Sequence, residues 1–426
     1  MINPQSTAFI LLSFEGPDGY ANAGGLGVRV AELSAALGEE GFETQLHFVG
    51  DPDAPHIEQT HPNRVLFRWG QPVSNAHRRG VYDGEWEKLN DLNHVLPSRF
   101  ADDIVPDLLS RHERVAVLAE EWHTAELLCN VHERLWEAGL RGRTLHFWNA
   151  NAIFGLEHVN WWRLNFCQTT LTTVSRYMKI KLWNRGLDPL VIPNGIPTRM
   201  LEAVPKADAK RLRAALRGDT LLVKVGRWDP NKRWVMAIEA VAQAKAAGLN
   251  PTLIVRGGME PHEGEVLHRG RELGLTIRDV HLPEGSQLGF DACLNALAAT
   301  EPAEVLVLRF FVPERLLRAL YHVADATLAN SGHEPFGIVG LEVMACGGLA
   351  FTGSTGEEYA RHLENAIVLD TGNPGEIVHY LKLLKADAAA RRELIAAGRR
   401  TAERFTWNNV IAVLNDKLAM VEAQRG

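Results

Sequence analysis

Short apolar runs alternate with glycine-broken turns and helical stretches along most of this chain, and that alternation restricts the possible fold more than any other feature. TAFILLSF is apolar and stops at EGPDG, as a buried strand does. After GGLG (Gly24–Gly27), VRVAELSAALGEEGF sets Val30, Leu33 and Leu37 on one helical face, and ETQLHFVG reads as the next strand. Strand, glycine turn, helix and strand in that order predict an open α/β sheet. HERVAVLAE, RTLHFWNA and QTTLTTVS continue the strands, and DDIVPDLLSRH is predicted helical. Residues 52–100 carry the least readable pattern.

A second series follows. The prolines and glycine of PLVIPNGIPTRM reset the chain direction, which puts a domain boundary near 195–215. KADAKRLRAALRG is a short helix, and DTLLVKVGRW opens a new strand-and-turn run. VMAIEAVAQAKAAG (helix), PTLIVRGG and AEVLVLRFF (strands), PERLLRALYHVA (helix), ADATLAN and GGLAFTG (strands) continue it, with closing helices at 375–398 and 406–424. The expectation is two α/β domains of similar size on a short hinge. A dehydrogenase built from two such domains has the same pattern at this level. Ligands of open α/β sheets bind beyond the carboxyl ends of the strands, so the strand-to-helix turns are where chemistry is expected.

Composition narrows the function classes. At 426 residues, 46% hydrophobic and 23% charged, the chain can bury two cores. Its 45 basic and 52 acidic residues give a net charge of -7, against a nonspecific binder of nucleic acid. Cys129, Cys167, Cys293 and Cys346 form no CxxC pair, and MINPQSTAFILLSFEGP has no basic leader region, so a cytoplasmic location is expected. No run is long and apolar enough for a membrane span, and stable membrane association is not expected. The 17 histidines scatter without HExxH or a Cys/His knot, so no metal is predicted.

Four turns stand out. GGLG places close-packed backbone before a helix, which suits either a tight turn or an anion held by free N–H groups. It lacks GK[ST], so it is no P-loop. KVGRWDPNKRW (Lys224–Trp234) ends a strand at Arg227 and follows a DPN turn with Lys232. The two cations either converge on a diphosphate or lie on a solvated turn. In SGHEPFGIVGLEVMACGG, Glu334 precedes a helix and Glu342 sits one or two turns inside it, with Val339, Val343 and Met344 suited to a core. Such carboxylates either accept sugar or ribose hydroxyls or act as local caps. EEWHTAELL puts His123 at a strand end, as a sugar-hydroxyl ligand or as a satisfied core histidine. WNANAIFGLEHVNWWRLN (148–165) is either an acceptor platform for stacking on sugar or a packed core element.

In chain order, GGLG, EEWHT, TTVS, VIPNGIP, VGRWDPNKRW, SGHEPFGIVGLEVMACG and FTWNNV resemble glycosyltransferase family 4, with its glycogen/starch and sucrose synthase relatives. The HEPFG-to-MACG segment is the most specific of them, and the motifs cover nearly the whole chain. The resemblance implies the GT-B fold: two Rossmann-like domains facing an interdomain cleft. Residues 1–200 would form the acceptor-side domain, 201–400 the nucleotide-sugar-binding domain, and 401–426 a C-terminal helix packing back towards the first.

It also implies retaining transfer of a sugar from a nucleoside-diphosphate sugar (UDP-, GDP- or ADP-linked) to a sugar, polyol or other hydroxyl acceptor, with no metal or other cofactor. By motif, Arg227 and Lys232 would grip the donor diphosphate, Glu342 the ribose and Glu334 the donor sugar. Phe336, Gly337 and Ile338 would belong to the same donor site. His123 would bind a donor-sugar hydroxyl and help stabilise the transition state. Gly24, Gly25 and Gly27 would present backbone to phosphates or the reacting sugar, while Ser175 and Arg176 would line the cleft.

The chain departs from the synthases at Asn22, where a lysine is usual, at Thr355 of GSTGEE, where a first glycine is usual, and in HFWNANAIFG. Starch or glycogen elongation is therefore disfavoured, and a small soluble acceptor is expected. A nucleotide-sugar epimerase and a non-catalytic sugar-nucleotide-binding protein are the competing readings.

Overall fold

A computed structural model describes residues 2–424. The chain divides into two compact units, one running to Pro197 and resumed from Phe405, the other Thr198–Arg404. The helix Ala388–Glu403 runs through position 400, so the return to the first unit begins after it. Among the described residues no helix is long and apolar enough to cross a membrane.

The first unit holds an eight-stranded sheet. Its strands are β1 (Thr7–Leu12), β2 (Thr44–Val49), β3 (Ile57–His61), β4 (Arg64–Trp69), β5 (Arg114–Glu120), β6 (Thr144–Ala150), β7 (Thr170–Thr173) and β8 (Leu190–Val191). They lie in the order β3-β4-β2-β1-β5-β6-β7-β8, all parallel except the β3–β4 pair. β1 is central, with Leu11 opposite Leu46 on one side and Leu118 on the other. Every residue of β1, β2 and β6 is buried, as expected where helices cover both faces of a parallel sheet. β3, IEQTH, is the exposed edge, and its polar sequence is part of why residues 52–100 carry the least readable pattern.

The second unit has a seven-stranded, all-parallel sheet. Its strands are β9 (Thr220–Val225), β10 (Pro251–Arg256), β11 (Ile277–Val280), β12 (Val305–Leu308), β13 (Ala326–Ala329), β14 (Ala350–Thr352) and β15 (Ile367–Val368). Their order is β11-β12-β10-β9-β13-β14-β15, with Val223 of β9 between Ile254 and Thr327. In each sheet the strand order reverses direction beside the first strand, between β1 and β5 and between β9 and β13. Those reversals open the crevices in which such sheets receive ligands.

The C-terminal helix Trp407–Ala423 belongs to the first unit. Trp407, Val410, Ile411, Leu414 and Leu418 join the core of Phe9, Leu11, Val30 and Leu37. Gly195 is required here, because a Cβ would run into the Trp407 ring. Replacing Trp407 with alanine should destabilise the first unit by about 3–5 kcal/mol through cavity formation. In urea unfolding this appears as an earlier transition for that unit; an unchanged midpoint would contradict the packing account.

Candidate functional site

The loops at the two switch points carry most of the residues singled out above. In the first unit, β1 runs into Phe14, Glu15 and the glycine turn, and β5 runs into Glu121, Trp122 and His123. The helix Gly25–Glu39 starts within GGLG, but its amides are not all free. Glu15 Oε2 accepts from the Gly24 N–H at 2.9 Å and the Gly27 N–H at 3.0 Å, while Tyr82 Oη–H donates to Glu15 Oε1 at 2.5 Å. A carboxylate of the chain itself thus occupies the seat expected for a phosphate. The sequence leaves GGLG as either a tight turn or an anion seat; helix-terminal donors attract an anion, and Glu15 accepts from two of them, Gly24 and Gly27. Gly25 is different, because a Cβ there would meet nothing within 4 Å, leaving open space beside its backbone.

His123 is buried at 4% exposure, between the rings of Phe14 (centroids 4.4 Å apart) and Trp122 (3.9 Å). Its Nε2 lies 2.8 Å from Glu85 Oε1. Facing a carboxylate, Nε2 carries the hydrogen, and Nδ1 is a lone-pair acceptor with no partner among the described residues. Burial lowers the His123 pKa further than Glu85 raises it, so the ring is neutral near pH 7. One ring nitrogen is thus satisfied, as in a core histidine, and the other is open among the described residues.

Two carboxyls not singled out by the sequence motifs adjoin this histidine in the chain. Glu120 accepts from Arg29 Nε at 3.2 Å, Asn149 Nδ2 at 2.8 Å and Asn151 Nδ2 at 2.7 Å, while the Arg29 guanidinium also reaches Asn194. This buried network ties β5 and β6 to the VIPNG loop. Glu121 has φ 68° without being glycine, a backbone state that costs about 1–3 kcal/mol. Its Oε1 accepts from the Asn151 amide at 2.6 Å, whereas Oε2 is buried without a partner among the described residues. Burial pushes the Glu121 pKa up to about 8, so its carboxyl is largely protonated at neutral pH. The signal in the sequence was the EE doublet at a strand end, read only for its histidine.

Other expectations resolve individually. Ser175 caps the helix Arg176–Trp183 by accepting from Met178 N–H at 3.1 Å. The tryptophan-rich segment splits. Trp148 is core, donating to the Glu121 carbonyl at 2.9 Å, whereas Trp162 is 73% exposed and stacks on Phe166.

In the second unit, the turn after β9 and the loop after β13 meet. Gly226 takes φ 153°, and Trp228 is buried with its N–H donating to Glu260 Oε2 at 2.9 Å. Asp229 caps the short turn Pro230–Lys232 by accepting from Asn231 N–H at 2.8 Å, and Arg233 ends it at φ 52°, ψ 47°. Gly332 N–H donates to the Asn231 carbonyl at 2.6 Å, and Lys232 Nζ pairs with Glu334. Arg227 is exposed, and its guanidinium has no protein partner among the described residues. Lys232 is paired with Glu334 of the loop after β13, and the exposed Arg227 lies in the same turn as Lys232.

The glycines in HEPFGIVGLEVMACGG have local causes. Gly337 is the left-handed N-cap (φ 75°) of the helix Ile338–Ala345, with Thr355 only 3.1 Å from where its Cβ would stand. Gly340 lets that helix close onto Tyr359 and Thr352, with the Tyr359 oxygen 2.6 Å from an added Cβ. Tyr359 donates to the Gly337 carbonyl, and Phe336 packs on its ring at 5.7 Å. Burial raises the Tyr359 pKa, and Glu334 and Glu342 raise it further, so both carboxylates act on one phenol. Glu342 also accepts from Tyr321 Oη–H at 3.4 Å. Neither glutamate is a helix cap. Val343 and Met344 are buried as predicted, and Val339 is half-buried. Among the described residues no group of His, Cys, Asp and Glu is arranged to hold a metal.

Two Rossmann-like α/β domains, each with its polar loops at a switch point, define a fold of the GT-B class. The same fold is seen in sucrose-phosphate synthase from Thermosynechococcus elongatus, at a TM-score of 0.67 and 18% identity over 98% of this chain and 100% of that one. Residues 208–401 match the family described as "Glycosyl transferases group 1", and the chain is related to glycosyltransferases of this fold. A D-inositol 3-phosphate glycosyltransferase from Thermobispora bispora is 26% identical over 425 residues, 93% of this chain and 90% of the relative. One from Geodermatophilus obscurus is 29% identical over 234 residues, 53% of this chain and 46% of the relative, so the chain spans about half the length of that protein.

Proposed function

We propose that the protein is a retaining glycosyltransferase that moves a sugar from a nucleoside-diphosphate sugar to a hydroxyl of a small soluble acceptor. The observation that carries this reading is the meeting of the KVGRWDPNKRW turn with the Glu334 loop and the Glu342 helix. A departing diphosphate develops negative charge, and preorganised cations stabilise it without reorganisation at the moment of reaction. Arg227 is open to it, and Lys232 reaches it by sharing its ammonium between phosphate and Glu334. The first-turn N–H groups of Ile338–Ala345, beyond Phe336 and Gly337, add donors of the same sign. Glu342 accepts the paired ribose hydroxyls, and Glu334 accepts from the donor sugar.

In the step itself, the bond from the anomeric carbon to the phosphate oxygen breaks while the bond to the acceptor oxygen forms on the same face. The leaving phosphate takes the acceptor proton. Glu334 serves as a hydrogen-bond acceptor tied to Lys232 and is not assigned the nucleophile's role. His123 contributes a neutral Nδ1 that accepts from a sugar hydroxyl, and Gly25 allows close approach of backbone. The names of the relatives, a D-inositol 3-phosphate glycosyltransferase and a sucrose-phosphate synthase, favour a small acceptor over a polymer.

A crossed screen of UDP-, GDP- and ADP-sugars against sugars, sugar phosphates and polyols tests the reading by mass spectrometry. The expected result is one donor–acceptor pair giving a glycoside plus nucleoside diphosphate. Conversion of the donor sugar without acceptor would favour an epimerase, and tight donor binding without turnover a non-catalytic binder.

A further inference from the structure

Lys224 lies near the end of the largely apolar run DTLLVKV, at 2% exposure, opposite Val255 of β10. Its Nζ donates to the Leu328 carbonyl at 3.0 Å and to Asn330 Oδ1, and lies 5.0 Å from the centroid of the Trp234 ring. Two neutral oxygens and an indole face are thus its partners, and no carboxylate bonds it among the described residues. A buried ammonium without a paired carboxylate is costly, and proteins rarely keep one by accident.

Its partners show what it joins. Leu328 and Asn330 end β13 and lead directly into Ser331–Glu334. Asn330 Nδ2 in turn donates to the Arg233 carbonyl at 3.5 Å, and Trp234 Nε1 donates to the Arg227 carbonyl at 2.7 Å. Lys224 therefore bolts the diphosphate turn to the Glu334 loop from behind. The ionic groups in its field are Lys232 and Arg233, which repel it, and Glu334, which attracts it. With Arg227 also present and Glu334 already paired to Lys232, positive charge is in excess until an anion arrives.

We propose that Lys224 is a positioning residue that takes up a proton when the diphosphate group of a donor docks at Arg227 and Lys232, coupling donor affinity to pH. This rests on the donor reading above. In the free protein, burial and the neighbouring cations hold the Lys224 pKa down at about 7, so a large share of the ammonium is deprotonated at mildly alkaline pH. A docked diphosphate offsets the charge of Lys232 and adds its own negative field, both of which favour the charged lysine. The sign follows: binding consumes a proton, so affinity falls as pH rises above 7.

Isothermal titration of UDP, GDP and ADP at about pH 7.5–9, repeated in buffers of different ionisation enthalpy, reads the proton directly. The nucleotide's own phosphates are ionised in that range. The expected result is uptake of about one half to one proton per nucleotide, with affinity falling up to about tenfold per pH unit. Lys224→Met should abolish the uptake. Asn330→Asp gives Lys224 a carboxylate partner, keeps it protonated beforehand and should abolish the uptake with the lysine still present. Binding without uptake in the wild type, or uptake unchanged in either variant, overturns the role of Lys224 and leaves the donor reading standing. Absence of binding by all three nucleotides would overturn the donor reading, and this inference with it.

Discussion

Replacing Lys232 with alanine is expected to lower kcat by about 10²–10³-fold, the loss seen when one preorganised charge-stabilising donor is removed from a transition state. The effect should exceed simple loss of a cation. Lys232 is paired with Glu334, so the variant leaves that carboxylate facing an incoming diphosphate without its counter-charge. Two comparisons separate these contributions. Lys232→Ala combined with Glu334→Gln should recover part of the donor affinity but little of kcat, since only the repulsion is relieved. Arginine at 232 keeps the charge but alters the geometry, and should retain more activity than alanine. Steady-state kinetics with the donor varied is the measurement. An unchanged kcat would return Lys232 to a solvated turn and remove the leaving-group argument.

The second large effect is expected at Glu342, in donor binding and not in the chemical step. A carboxylate accepting two ribose hydroxyls makes charge-assisted hydrogen bonds worth about 1.5–3 kcal/mol. Glu342→Ala should therefore raise the donor Kd by about 10–100-fold while kcat at saturation changes much less. The variant also removes the partner of Tyr321 Oη. Glu342→Gln preserves that contact and should lie between the two. Equal loss for a donor and for its free sugar would contradict a ribose role, because the free sugar has no ribose to lose.

The readable parts of this chain were those whose chemistry is local. DTLLVKV and ADATLAN are short apolar runs bounded by turns, and they became β9 and β13 at the sheet's reversal. HEPFGIVGLEVMACGG announced a break, a helix and two carboxylates in one piece. What stayed hidden depended on contacts distant in sequence. Glu15 fills the amides of Gly24 and Gly27 across a loop, and nothing in the spacing of EGPDGYANAGGLG marks that carboxylate as their occupant. Glu85, the partner of His123, sits in the unread stretch 52–100. There the edge strand is polar, and the helix Glu85–Arg99 carries Pro97 before running into a π-helical turn. Lys224 was visible as a lysine within an apolar run, but its meaning required the neighbouring strand, because its acceptors come from β13 and the residue after it. The shared surroundings of Glu334 and Glu342 depend on Tyr359, which approaches from a loop beyond β14 and lies in the field of both carboxylates.

The central claim is transfer from a nucleoside-diphosphate sugar with the anomeric configuration kept. Proton NMR of the glycoside formed from an α-linked donor in the productive pair, read at the first detectable turnover, tests it most directly. The account predicts an α-glycosidic product with the small anomeric coupling of the donor for a gluco-configured sugar, and release of the nucleoside diphosphate in equal amount. A β-linked product would contradict it.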